Sequence, residues 1–228
     1  MKDIFHDYMS KRLDDLHLHE VKTEPGPVIS ISRAAGCSVR RMARKLAEEL
    51  SELDRNTHWS MISKEVLHES AGKLKLQPKK IKTVFKVPDR SVFEDVLEAF
   101  LSKDYHLERK MRNTVIKVIR QFAIDGHKVF VGRGANSICS DINRAIHIRV
   151  EAPLEWRIKK VMQNKNYTRE KAVQCIVQTE KDRTNFRKSI RGNKNKDEYF
   201  DLIINQECFS NDEIIALIIE AMKLKKLI

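Results

Sequence analysis

No apolar run among the 228 residues approaches the ~20 that a membrane-spanning helix needs. The first residues, Met1-Lys2-Asp3-Ile4-Phe5-His6-Asp7, carry acids where a secretory leader has an apolar stretch. A cytoplasmic protein with no membrane partner is therefore expected. Cysteine is scarce: Cys37, Cys139, Cys175 and Cys208 form no C-x-x-C pair, so the zinc and redox patterns built on that spacing are missing. Histidine is scattered, and the closest pair, His17 and His19, would point two ways on a helix. No metal site is expected. Internal repeats and low-complexity tracts are also lacking. What remains is a polar globular chain, 41% apolar and 33% charged, long enough to bury a core without disulfides.

Charge is present in excess and in one place. Lys plus Arg number 44 against 32 Asp plus Glu. From Arg157 to Lys196 there are 13 basic residues and three acids (Glu170, Glu180, Asp182), a net +10, which leaves +2 for the rest of the chain's +12. Such a stretch suits a polyanion: nucleic acid, a membrane surface or nucleotide phosphates. A solvated helix face is the plainer alternative. Nucleic acid is not the expected partner, because Tyr167 and Phe186, with Trp156 just ahead, are the only aromatics at the stretch and cannot stack a run of bases.

Residues 1–24 read as an amphipathic helix, and Pro25-Gly26-Pro27 ends it. Residues 1–27 are thus an appendage and linker ahead of a domain over 28–228. Short β-branched or apolar runs predict strands at Val28–Ser32, Lys128–Val131, Ala145–Val150 and Leu202–Asn205. Helical periodicity fills Val39–Leu53, 106–124, 154–162, 168–190 and 211–226, with broken helices over 57–105. Strands that alternate with helices predict an α/β fold with a parallel sheet covered on both faces.

Ligands of such sheets bind beyond the carboxyl ends of the strands, and four stretches arrive there. Arg33 to Arg41 is a strand–turn–helix with Gly36, the arrangement that presents backbone N–H groups to a phosphate; an ordinary βα turn is the alternative. Gly132-Arg133-Gly134-Ala135-Asn136 sets an arginine fork between two glycines. Arg157 lies in the first turn of a helix, where the helix dipole disfavours a cation, so it calls for an anion or a salt bridge. Arg183, Arg187 and Arg191 share one helix face at i, i+4 spacing and repel one another unless an anion sits among them.

With V-I-S-I-S-R before the loop, K-V-F-V-G-R-G-A-N, H-I-R-V-E-A-P-L-E-W-R-I-K-K-V, E-K-D-R-T-N-F-R and Y-F-D-L-I-I-N-Q in that order, the chain resembles the cytidylate kinase-like family of P-loop proteins from about Val28 onward. The resemblance implies a nucleoside monophosphate kinase fold with five parallel strands, the missing one at Thr57–Met61. It implies a monophosphate-binding helical cap over 62–105 and a lid over 180–196. It implies transfer of the γ-phosphoryl group of ATP, with Mg²⁺, to CMP or a similar monophosphate. The carry-over places Gly36, Cys37, Ser38, Val39, Arg40 and Arg41 at ATP, and Arg133, Gly134, Asn136 and Asp182 at the acceptor. It places Arg40, Arg157, Arg183 and Arg187 around the transferring group. A homo-oligomer is compatible with it.

The loop departs from the family pattern G-S-G-G-R. Here it reads Gly36-Cys37-Ser38-Val39-Arg40, and the Cβ of Val39 crowds an approaching phosphate. No loop lysine stands at the usual offset, and Arg40 is its nearest substitute. Gly134, Lys181 and Asn185 replace acidic, basic and acidic residues of cytidylate kinases. The alternative function is therefore a catalytically inactive relative that binds a nucleotide or a protein.

Overall fold

The computed structural model describes residues 26–53, 56–63, 116, 119–191 and 198–228. Five strands form one parallel sheet in the order β2-β3-β1-β4-β5: β1 Val28–Arg33, β2 Ser60–Ile62, β3 Lys128–Val131, β4 Ala145–Glu151 and β5 Leu202–Asn205. The α/β class and the parallel sheet expected from the sequence are both present. The edge strand β2 begins three residues later than the sequence suggested. Only three of its residues pair with β3, too few for alternation to fix a boundary. Trp59, just ahead of it, is buried and meets His127 edge-on.

Because side chains alternate across a strand, the sheet has two faces, and different helices cover them. Ile29, Ile31, Val129, Ile146 and Ile148 pack against Met42, Leu46 and Leu50 of α1 (Arg40–Leu53) and Ile214 and Ile218 of α5 (Asn211–Leu224). Helix α5 starts at a capping box, in which Ser210 and Glu213 satisfy each other's backbone N–H. On the other face Val28, Phe130 and Ala145 meet Ile119 and Phe122 of a helical segment over 119–125, and Ala135 and Ile138 of the short α2 (Ala135–Ile138). Ser30 and His147 lie opposite each other in this face and are hydrogen-bonded, Ser30 Oγ to His147 Nδ1, at 2.8 Å.

Helices α3 (Leu154–Lys165) and α4 (Arg169–Arg191) follow β4. At i, i+3 and i, i+4 spacing, one stripe of α4 runs Ala172, Ile176, Glu180, then Arg183 and Arg187, with Phe186 and Ile190 beside it. Its apolar start packs with Ile158 and Val161 of α3 around Ala35 of the loop. Its apolar end meets the second face of the sheet, where Ile190 packs against that core. The charged middle of α4 is thereby laid across the carboxyl ends of β1 and β3. The expected lid residues 180–191 continue this helix without a break; residues 192–197 lie outside the described residues. So do residues 1–25 and, apart from Ile62 and Ser63, the whole of the expected cap over 62–105. Among the described residues no helix is long and apolar enough to cross a membrane, and no cluster of His, Cys, Asp and Glu is placed to hold a metal ion.

Candidate functional site: an arginine cavity beside a closed loop

The turn after β3 carries three consecutive residues in the left-handed region: Gly132 at φ 75°, Arg133 at 57° and Gly134 at 68°. Glycine takes this conformation readily, whereas an arginine there is strained. A Cβ on Gly132 would lie 2.5 Å from Nη1 of Arg33, so the glycine also makes room for that guanidinium. The strained turn aims Arg133 at α4, where its guanidinium lies 5.9 Å from the centre of the Phe186 ring, within the cation–π range.

Between this turn, the end of β1 and α4 lies a cavity of about 190 Å³. Arg33, Arg133, Arg183 and Arg187 line it, with Asn136 and the backbone of the glycine turn; among the described residues no carboxylate does. Arg183 donates from Nη1 to the Arg33 carbonyl at 2.8 Å, which spends one of its five N–H donors and fixes the fork. Arg187 donates from Nη2 to Thr184 Oγ1 at 3.1 Å. Its Nε lies 2.7 Å from Glu198 Oε1, an ion pair not aligned as a hydrogen bond. Four guanidiniums of one sign around so small a space suit an oxyanion, whose charge would offset their mutual repulsion. The volume falls below the ~300–1,000 Å³ of pockets that enclose whole drug-sized ligands; it fits the charged end of one.

The loop between β1 and α1 is arranged differently. Ala35 N–H donates to Glu180 Oε1 at 2.6 Å, and Cys37 N–H to the Ala34 carbonyl at 3.1 Å. Ser38 N–H donates to Gln206 Oε1 at 3.1 Å, while Gln206 Nε2 donates back to the Ser38 carbonyl at 2.8 Å. Gly36 has φ 97°, and a Cβ there would stand 2.7 Å from the Arg157 Cβ. The glycine thus allows α3 to close against the loop. Arg157 donates from Nε to the Ala152 carbonyl (2.8 Å) and from Nη1 to the Ala35 carbonyl (3.0 Å), with Nη1 3.7 Å from Glu180. Burial pushes the Cys37 thiol up to about 11, against the pull of Arg157 and Arg183, so it is a protonated packing group and no nucleophile. In this arrangement the loop does not fit a triphosphate: three of its N–H groups already have acceptors within the chain.

The structure therefore divides the residues singled out in the sequence. Arg133, Gly134, Asn136, Arg183 and Arg187 come together at the cavity. Gly36, Cys37, Ser38, Val39, Arg40 and Arg41 belong to the loop and the start of α1, and with Arg157 they lie outside the cavity lining. Asp182 accepts from Gln178 Nε2 at 2.6 Å and is likewise not part of the lining. The side chain of Arg191 lies outside the described residues. Three residues join the picture from the structure alone. Arg33 was legible only as a charge at a strand end, and Glu180 and Gln206 act across 145 and 168 residues of chain.

No curated protein matches the sequence. Among solved structures, an uncharacterized protein from Eubacterium ventriosum ATCC 27560 aligns at 20% identity with a TM-score of 0.56, covering 86% of this chain and 98% of that one; the likeness extends to the fold. The crystal structure of APE1195 aligns at 14% identity over 89% of this chain and 97% of that one. Its TM-score of 0.49 is too low to argue from. The family model of the cytidylate kinase-like family matches residues 28–208. That span holds all five strands, the loop, the glycine–arginine turn and the arginine helix, and the chain belongs to the cytidylate kinase-like family.

Proposed function

We propose that the protein is a slow nucleoside monophosphate phosphotransferase that holds the acceptor's phosphate, CMP or a similar monophosphate, in the four-arginine cavity. The observation that carries this reading is the cavity itself: Arg33, Arg133, Arg183 and Arg187, with no lining carboxylate among the described residues, at the carboxyl ends of parallel strands. Arg133 and Arg183 grip the acceptor phosphate through planar forks. Arg187, drawn back by Glu198, supplies charge from the far side. Phosphoryl transfer asks little covalent chemistry of a protein; it asks for position and neutralised charge, which these residues provide on the acceptor side.

ATP with Mg²⁺ is the donor that family membership suggests, and it supplies the phosphoryl group. The loop as it stands does not accommodate it, which is why turnover is expected to be slow. The same closed loop favours the second reading, a nucleotide-binding relative without catalysis. A panel of CMP, dCMP, UMP and AMP, titrated first alone and then with ATP–Mg²⁺, separates the two. The first reading predicts monophosphate binding together with slow ATP-dependent product formation. Binding without product would leave the second reading, and no binding of any monophosphate would remove both.

A further inference from the structure

The loop N–H of Ala35 already has an anionic acceptor. Glu180 Oε1 takes it at 2.6 Å and lies 3.7 Å from the Arg157 guanidinium. A backbone N–H at a strand-to-helix turn and an arginine beside it are the donors a phosphate oxygen would use. The carboxylate reaches them because Ala172 and Ile176, two turns and one turn earlier on the same stripe of α4, are packed against Ala35. A second clamp stands on the other side of the turn. There Gln206, its own N–H held by the Glu151 carbonyl at 2.7 Å, closes on both the N–H and the carbonyl of Ser38.

We propose that Glu180 is the specificity-determining residue of this loop: its carboxylate is the anion the loop holds, and a polyphosphate enters only by displacing it. The inference rests on the phosphotransferase reading for the identity of the entering anion, and on the geometry alone for the identity of the occupant. Displacement exchanges one charge-assisted N–H···O⁻ bond for another and expels a carboxylate from beside Arg157. The entering phosphate thus gains little while Glu180 keeps its charge. Removing that charge leaves the Ala35 N–H and Arg157 to the newcomer.

The test is calorimetric titration of ATP–Mg²⁺ and of inorganic tripolyphosphate into wild type, Glu180→Gln and Glu180→Ala. The titrations are run with and without saturating CMP, so that binding in the arginine cavity is counted separately. The near-isosteric Gln variant guards against a loss of fold in the Ala variant. The expected result is an ATP affinity at least about tenfold tighter in both variants, the scale on which one charge-assisted hydrogen bond tells. CMP affinity should stay within about twofold of wild type, because Glu180 does not line the cavity. ATP or tripolyphosphate binding no tighter in either folded variant than in wild type would overturn the proposal. If CMP binds no variant, the cavity reading fails, while the ATP titrations still decide the loop.

Discussion

Arg183→Ala tests the arginine cavity through a residue with two separable tasks. One N–H of its fork holds the Arg33 carbonyl at 2.8 Å, and the rest of the fork faces the cavity. A hydrogen bond to a charged group contributes about 1.5–3 kcal/mol, so CMP should bind roughly 10- to 150-fold more weakly at 1.4 kcal/mol per tenfold. Losing the bond to the Arg33 carbonyl acts on the unliganded protein. At about 1 kcal/mol it should lower the Tm by roughly 2–4 °C for a chain of this size. Arg183→Lys keeps the charge but not the planar fork, so it should recover only part of the affinity. Lys181→Ala, an exposed charge two residues away, is the control for field strength alone. Isothermal titration with CMP at fixed ionic strength reads all four proteins. If Arg183→Ala and Lys181→Ala weaken CMP equally, the cavity has no specific grip and the reasoning fails.

Glu198→Gln removes the partner of Arg187, whose side chains are 17% and 13% exposed. Breaking so buried a pair should destabilise the protein by about 3–5 kcal/mol, yet CMP affinity should rise as Arg187 turns to the cavity; denaturant melts and titration read the two effects, and a fall in affinity would refute the second. Gly36→Ala brings a Cβ to 2.7 Å of the Arg157 Cβ at φ 97°, and the strain of such a backbone alone is about 1–3 kcal/mol; an unchanged denaturation midpoint would contradict the packing described. Burial holds the His147 imidazole below its ordinary 6.5, with Asp201 opposing and Lys225 adding to the shift. The unfolded chain therefore binds the extra proton first. The stability tied to neutral His147 is whole above about pH 6.5 and falls as pH drops from there toward the depressed folded value, by up to ~1.4 kcal/mol per pH unit. Urea titrations between pH 8 and 5 should show that slope in wild type and lose it in His147→Gln.

Much of this fold is written in local pattern. β1, β3 and β4 are short apolar runs, and the residues flanking them, Pro25-Gly26-Pro27 and Gly132 to Gly134, announce a junction and a turn. The Arg183–Arg187 spacing on α4 marks the cavity for the same reason, since i, i+4 geometry is a property of the helix itself. What escaped is what depends on distant chain. Arg33 becomes a cavity residue only because Gly132, a hundred residues on, leaves room for it. Arg157 reads as a cation that calls for an anion or a salt bridge; the folded chain bonds it to the Ala152 and Ala35 carbonyls and sets it 3.7 Å from Glu180, which the sequence did not single out as its partner. Gly36 reads as a phosphate turn or an ordinary βα turn, and proves to be a point where Arg157 of α3 stands too close to the loop for a side chain. Nothing local distinguishes Glu180 or Gln206 from other polar residues. Their role appears only once α4 and the end of β5 are laid beside the loop.

A crystal structure of the protein with CMP is the most direct test of the cavity. The account predicts the phosphate among Arg33, Arg133, Arg183 and Arg187, with guanidinium nitrogens at about 2.7–2.9 Å from its oxygens and Glu180 still on the Ala35 N–H. A phosphate seated on the loop in place of Glu180, or an empty arginine cavity at saturating CMP, would contradict it.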